Sequence, residues 1–438
     1  MTKIIAVRIT PIAFRDPPLL NAAGIHEPWA LRSIIEIETA SGLVGINESY
    51  GDLPMLEALA KAAPALTGLS PWALNEMETR VAALVAPRAN TASEFLGQQI
   101  SLAPGTHVSK TVAKVVSAFE VAMLDLQGQL AGAPVVDLLG GAARDRVPFS
   151  AYLFYKYAQH IEHAGQGAKP ASSGYPADPW GEAITPEELV AQARRMIGEY
   201  GFKSIKLKAG ALAPDAEAAG LLALAKAFPG TPLRIDPNAN WSVATSLRIV
   251  EQLRGVLEYY EDPAPGLDGM AAVARECDVP LATNMVVTDF AEFRRNADMG
   301  CPVKIVLSDH HYWGGLRATQ QLSRLCSTFG LGLSMHSNSH LGISLVAMTH
   351  LCASVPLLNY ACDTHYPWQD EEVVEGGRLK FEDGSLRVPT GPGLGVTLDR
   401  TALARLHDNY LNCGIRNRDD LAQMRKYDPA FTGRQPRF

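Results

Sequence analysis

The chain has 438 residues, more than one small core organises, so a large domain with a smaller companion is expected. Its 39 basic and 46 acidic residues leave a formal net charge of -7 without a basic stripe, which excludes nucleic acid as a natural partner. No run approaches the roughly 18 apolar residues of a membrane span, and MTKIIAVRITPIAF lacks the apolar region and cleavage site of a signal peptide; a cytoplasmic protein acting on a small molecule is expected, with no membrane partner.

Residues 3 to 14 and 31 to 51 hold short β-branched runs, the second broken by Ser41-Gly42, which predicts a small antiparallel meander. From Leu53 to Leu139 the period becomes helical, most clearly in VAKVVSAFEVAMLDLQGQL, and Gly140-Gly141 closes the segment. Beyond Val147, eight apolar runs (FSAYLFY, FKSIKLK, PLRID, VLEYYE, VPLAT, VKIVLSD, GLSMHS and LLNYACDTH) alternate with amphipathic stretches. One such stretch opens with the capping box Thr185-Pro186-Glu187-Glu188. Alternating strand and helix implies parallel strands.

Lys206 and Lys208, Asp236, Glu261, Asn284, Asp309, His336 and then Asp363 or His365 fall at the ends of successive runs, 23 to 30 residues apart. A period of one strand plus one helix predicts an α/β fold, a (β/α)8 TIM-type barrel with its site at the C-terminal strand ends. Three parts follow: an N-terminal α+β capping domain over 1–140, the barrel over 141–400, and a segment over 401–438 packing back on the capping domain. The turn-rich stretch 163–183 reads as a mobile loop near the barrel mouth. Six cysteines without a C-x-x-C pair read as buried reduced thiols. A homo-oligomer is expected on general grounds.

Asp236, Glu261 and Asn284 end three neighbouring strands and bring three oxygen-bearing side chains to one point, a donor set suited to Mg2+. Singly, each reads more simply as a strand-end cap. Lys206 and Lys208 flank Leu207, so both point into the mouth, and their mutual repulsion predicts a lowered lysine pKa, with Lys208 as a candidate base. His336 and Asp309 end adjacent strands, where the carboxylate can fix the imidazole tautomer and make a second acid/base group. Asn338, in HSNSH, can donate to a substrate oxygen. Together these parts suit removal of a proton alpha to a carboxylate.

The stretches FEVAMLDLQGQLAGAPVVDLLGG, KLKAG, DPNANW, YYEDP, ATNM, HSNSH and DTH resemble the enolase superfamily and, within it, the D-glucarate dehydratase subgroup, over nearly the whole chain. The resemblance implies a hydro-lyase that dehydrates an acid sugar with Mg2+. It assigns Lys208 and the His336-Asp309 dyad as the two acid/base groups, Lys206 as an electrophilic or positioning partner and Asn338 as a substrate contact. It also places His26, Tyr152, Asn238, His365 and Thr111 at the substrate pocket. Asparagine at 284 fits this subgroup and argues against the muconate-cycloisomerising and enolase branches. The chain departs from the pattern after YYEDP, where APGLDGMAA is short, so Asp262 and Asp268 stand as substitutes for Glu261, and a different diacid sugar or a monoacid stands beside glucarate. The rival readings are an epimerase or racemase on the same scaffold and a weakly active homologue acting as a binding partner.

Overall fold

A computed structural model of the chain describes residues 2–85, 110–162 and 174–438. The opening meander is a three-stranded antiparallel sheet, β1 (Ile4–Arg15), β2 (Trp29–Thr39) and β3 (Val44–Tyr50), in that order. The turn between β2 and β3 places Gly42 at φ 84°, which a residue with a Cβ rarely adopts. Helices α1 (Leu53–Ala62), α2 (Leu74–Val85) and α3 (Thr111–Ala131) cover one side of the sheet. The approach of α3 to β3 depends on Gly45, where a Cβ would meet the Ala122 carbonyl oxygen at 2.1 Å.

Seven parallel strands form one curled sheet in sequence order: β4 (Ala151–Phe154), β5 (Ile205–Lys208), β6 (Leu233–Asp236), β7 (Leu257–Glu261), β8 (Leu281–Thr283), β9 (Ile305–Ser308) and β10 (Gly332–Met335). Their residues are almost all buried, as expected where helices cover one face and a barrel interior the other. Between them run α4 (Pro186–Tyr200), α5 (Pro214–Ala227), α6 (Val243–Gln252), α7 (Gly266–Ala274), α8 (Phe290–Asp298), α9 (Leu316–Phe329) and α10 (Gly342–Ser354). At the start of α4, Thr185 Oγ1 accepts from the Glu188 amide at 3.3 Å and Glu188 Oε2 accepts from the Thr185 amide at 2.9 Å, which closes the capping box.

The eighth run, LLNYACDTH, is not a regular strand. It closes the barrel through a few bonds: the Asn359 and Asp363 amides reach the Leu333 and Met335 carbonyls, and the Ser150 amide reaches the Cys362 carbonyl. Side chains claim the carbonyls that a ladder would have used. Arg234 Nη1 donates to the Ala361 oxygen at 2.7 Å, and Ser334 Oγ donates to the Tyr360 and Ala361 oxygens at 3.1 and 3.0 Å.

Helix α11 (Arg400–Asn412) lies along β1, where Asn409 Nδ2 donates to the Ala13 carbonyl at 3.2 Å. Helix α12 (Asp420–Tyr427) packs on the hairpin around Leu20–Ile25. The last residues turn to the barrel instead, with Arg437 Nη2 donating to the Gly210 and Ala211 carbonyls at 2.8 and 3.0 Å. All six cysteines are free, and three of them are buried. No helix among the described residues is long and apolar enough to cross a membrane. Most of the predicted mouth loop, 163–173, lies outside the described residues.

Candidate active site

Parallel strands deliver their last residues to one end of the barrel, and the polar residues of the site collect there. Asp236 and Glu261 close β6 and β7, and Asn284 follows β8; all three are buried. Ligand oxygens of Asp236, Glu261 and the adjacent Asp262 lie within 4.8 Å of one another. Burial and then the charge of Asp236 push Glu261 far above the usual carboxyl range, and the same two causes raise Asp262 to about 7. The Asn284 side-chain amide is buried with neither its oxygen nor its nitrogen hydrogen-bonded among the described residues. Crowded carboxylates beside an unsatisfied amide oxygen fit a hard divalent cation, which would relieve both costs.

The substitutes for Glu261 have other duties. Asp262 accepts from the Asn284 backbone amide at 2.9 Å and from the Thr283 hydroxyl, so it holds the turn that carries Asn284. Asp268 is exposed on α7, and the nearest cation is Arg295 at 3.9 Å.

The two lysines of β5 point the same way and find different partners. Lys206 Nζ lies 2.6 Å from Glu261 and 2.6 Å from Asp363, with the Tyr152 ring centroid at 4.6 Å. Lys208 Nζ donates to Asp236 at 2.6 Å and to Asn238 Oδ1 at 3.0 Å. A lowered pKa is not found at Lys206: burial pulls its ammonium down, but Asp363 and Glu261 reverse this and hold it well above the usual lysine value. Each ammonium has its own carboxylate, so the expected mutual repulsion is offset. Against the upward push of burial, Lys208 and Lys206 keep Asp236 down at about 2.

Across the mouth, His336 Nδ1 lies 3.2 Å from Asp309 Oδ2. Burial opposes the Asp309 charge, yet His311 and His336 hold its carboxyl well below the usual range. Asn338 Nδ2 donates to the Tyr50 hydroxyl of the capping sheet at 3.1 Å. His26, Tyr152 and His365 form one cluster: the His365 ring sits 4.9 Å from Tyr152 and 6.3 Å from His26, and its Nδ1 pairs with Ser337 Oγ at 2.9 Å. His26 Nδ1 is anchored by Asp16 at 2.9 Å. Thr111 opens α3, next to Lys110, whose ammonium pairs with Asp289 in the loop after Asn284.

The barrel mouth therefore gathers Asp236, Glu261, Asn284, Lys206, Lys208, Asn238, Asp309 and His336, while Tyr50 of the capping sheet reaches Asn338 and Asp16, just past β1, reaches His26. Sequence reasoning missed Asp363 as the Lys206 partner, although it had weighed that residue as the last strand end. It also missed Tyr50 and Asp16, which carry no motif, and Ser337, which lies inside HSNSH beside the two residues assigned there.

Five buried histidines give the fold a pH signature. Burial lowers His160 and His350 to about 4 and pushes His310, His340 and His365 well below the usual histidine value. The folded chain keeps these rings neutral, whereas the unfolded chain protonates them below about 6.5. Stability is thus intact above that value and is lost as pH falls, by up to about 1.4 kcal/mol per pH unit for each ring. Buried carboxyls raised by burial, such as Glu120 at about 7 and Glu217 at about 8, act in the opposite direction, so the rings are read by difference: His350→Gln is expected to lessen the loss of urea midpoint between about pH 7 and 5, and an unchanged acid loss would contradict the assignment.

Residues 188–402 match the model of the family described as Enolase C-terminal domain-like. The chain is 50% identical over 432 residues to "Probable glucarate dehydratase" of Streptomyces coelicolor, covering 98% of this chain and 97% of that protein. The chain belongs to the enolase superfamily. Its solved relatives include an enolase from Pseudomonas fluorescens Pf0-1 with bound magnesium, potassium and tartrate, 57% identical, with a TM-score of 0.93 over 100% of this chain and 99% of that one. Another, from Thermobispora bispora and complexed with magnesium and formate, is 52% identical, with a TM-score of 0.92 over the whole of both chains. In this enolase-superfamily chain the three candidate ligands stand at the ends of three consecutive strands, as the spacing predicts.

Proposed function

We propose that this chain is a hydro-lyase that dehydrates an acid sugar with the assistance of Mg2+. The observation that carries the reading is the placement of two separate acid/base-capable groups, Lys208 on β5 and the His336-Asp309 pair beyond β10 and β9, on either side of a buried cluster of oxygen donors. The dehydratase class is supported by the likeness to a named glucarate dehydratase. The tartrate bound to a close structural relative favours a hydroxylated dicarboxylate as substrate.

Asp236, Glu261 and Asn284 would hold the magnesium, which when bound supplies positive charge to offset the charge that builds on a carboxylate losing its alpha proton. Lys206, pinned between Glu261 and Asp363, stays cationic and positions the substrate carboxylate. Lys208 or His336 takes the alpha proton according to the configuration of the carbon attacked. His336 then gives a proton to the departing beta hydroxyl, with Asp309 holding the ring. The enol so formed ketonises to a keto-deoxy acid. Asn338, Asn238, His26, Tyr152, Thr111 and His365 orient the remaining hydroxyls and the distal end.

A panel of hexarates and aldonates, incubated with Mg2+ and read by keto-acid formation, tests the reading. At least one hexarate is expected to give keto acid. Deuterium uptake from D2O at the alpha carbon without keto acid would favour an epimerase on the same scaffold, and no turnover of any member would overturn an enzymatic role for these residues.

A further inference from the structure

Asp309 divides its two oxygens between two imidazoles. Oδ2 faces His336, while Oδ1 accepts from the His311 backbone amide at 2.8 Å and faces His311 Nδ1 at 2.9 Å. The other nitrogen of that ring, Nε2, lies 2.6 Å from Nη2 of Arg32 on capping strand β2. A guanidinium only donates, so Nε2 must accept, and the single ring proton belongs on Nδ1, directed at Asp309. Arg32 is itself fixed, because its Nε donates to Glu48 Oε1 on β3 at 3.0 Å. Glu48 also accepts from the Leu341 and Ser344 amides at 2.9 and 3.0 Å, at the start of α10, just past the loop that carries His336 and Asn338. Arg32, Glu48, Asp309, His311 and His336 are all buried.

We propose that Glu48, Arg32 and His311 form a positioning relay by which the capping sheet orients Asp309 and reserves its charge for His336. Arg32 holds His311 as a neutral donor of one tautomer. Were His311 free to take a second proton, it would form an ion pair with Asp309 and weaken the carboxylate's hold on His336. Glu48 closes the circuit, tying the relay to the backbone that presents His336. The groups facing the His311 ring from the cap are Arg32 and Tyr50, and from the barrel Asp309, His310, His340 and the Ser344 hydroxyl, which lies 3.4 Å from Nε2. The relay makes the capping sheet part of the acid/base apparatus as well as a cover for the pocket, and it rests on the reading of His336-Asp309 as an acid/base pair.

Two measurements on the full chain with Mg2+ test it. In protein labelled with 15N-histidine, with the His311 signal assigned by its absence in His311→Gln, the ring is expected to carry its proton on Nδ1 with Nε2 unprotonated. A ring protonated on Nε2 overturns the relay, whatever the substrate. In turnover, His311→Ala is expected to lose about 10–100-fold in kcat with KM unchanged and a displaced acid limb of the pH profile. His311→Gln, which keeps a neutral N–H toward Asp309, is expected to recover most of that loss. An Ala variant with unchanged kcat, or a loss confined to KM, overturns the positioning role. A wild-type chain that turns over no acid sugar would sink the functional reading, and the tautomer measurement would still decide the relay.

Discussion

His336→Asn is expected to reduce kcat by about 10²–10⁴-fold, the range that one positioned proton-transfer group supplies. The asparagine amide can replace Nδ1 as a donor to Asp309, so the buried carboxylate keeps a partner and the fold survives. What disappears is the second ring nitrogen, the only part of His336 that Asp309 leaves for the substrate. The loss should therefore fall on kcat, with KM little changed and circular dichroism identical to wild type. Lys208→Ala provides the contrast, because it takes away a group on the other side of the pocket and also leaves Asp236 without its 2.6 Å partner. A His336→Asn variant within tenfold of wild type would remove this residue from the reaction.

Asp236→Ala and Asn284→Ala should separate metal binding from stability. Asp236 is fully buried at 2.6 Å from Lys208 and 3.6 Å from Lys206, so its removal leaves buried ammonium groups short of a counter-charge. Breaking such a pair costs about 3–5 kcal/mol, and Mg2+ affinity should fall as well. The Asn284 side-chain amide has no hydrogen-bond partner among the described residues. Its truncation should therefore weaken Mg2+ binding by calorimetry while leaving the thermal midpoint of the metal-free protein nearly unchanged. Equal destabilisation by the two variants without metal would mean that Asn284 supports the fold, and unchanged Mg2+ affinity in both would place the ion elsewhere.

The strand ends were readable because a parallel barrel imposes a period, and that period puts one polar residue after each apolar run: Asp236, Glu261, Asn284, Asp309 and His336 fall where it predicts. The capping box at Thr185 and the long helix before Gly132 were readable for local reasons, capping chemistry and apolar spacing. Pairings across the chain left no such trace. Two lysines separated by one residue look equivalent in sequence, yet Lys206 meets Glu261 and Asp363 while Lys208 meets Asp236 and Asn238. The eighth run has the composition of a strand, and only the reach of Arg234 and Ser334 to its carbonyls explains why it is not one. Arg32, Glu48 and Tyr50 sit in β-strands where alternation marks them merely as polar positions; their ties to His311, Leu341 and Asn338 span 279 to 293 residues of sequence.

The most direct test of the central claim follows the alpha hydrogen. A hexarate deuterated at each alpha carbon in turn, converted in ordinary water with Mg2+, should release to water the deuterium of the carbon that becomes the ketone, with no product once the metal is chelated. A keto acid that carries that deuterium on the adjacent methylene carbon, as a 1,2-hydride shift would leave it, or one formed equally well without divalent metal, would contradict alpha-proton removal at this centre.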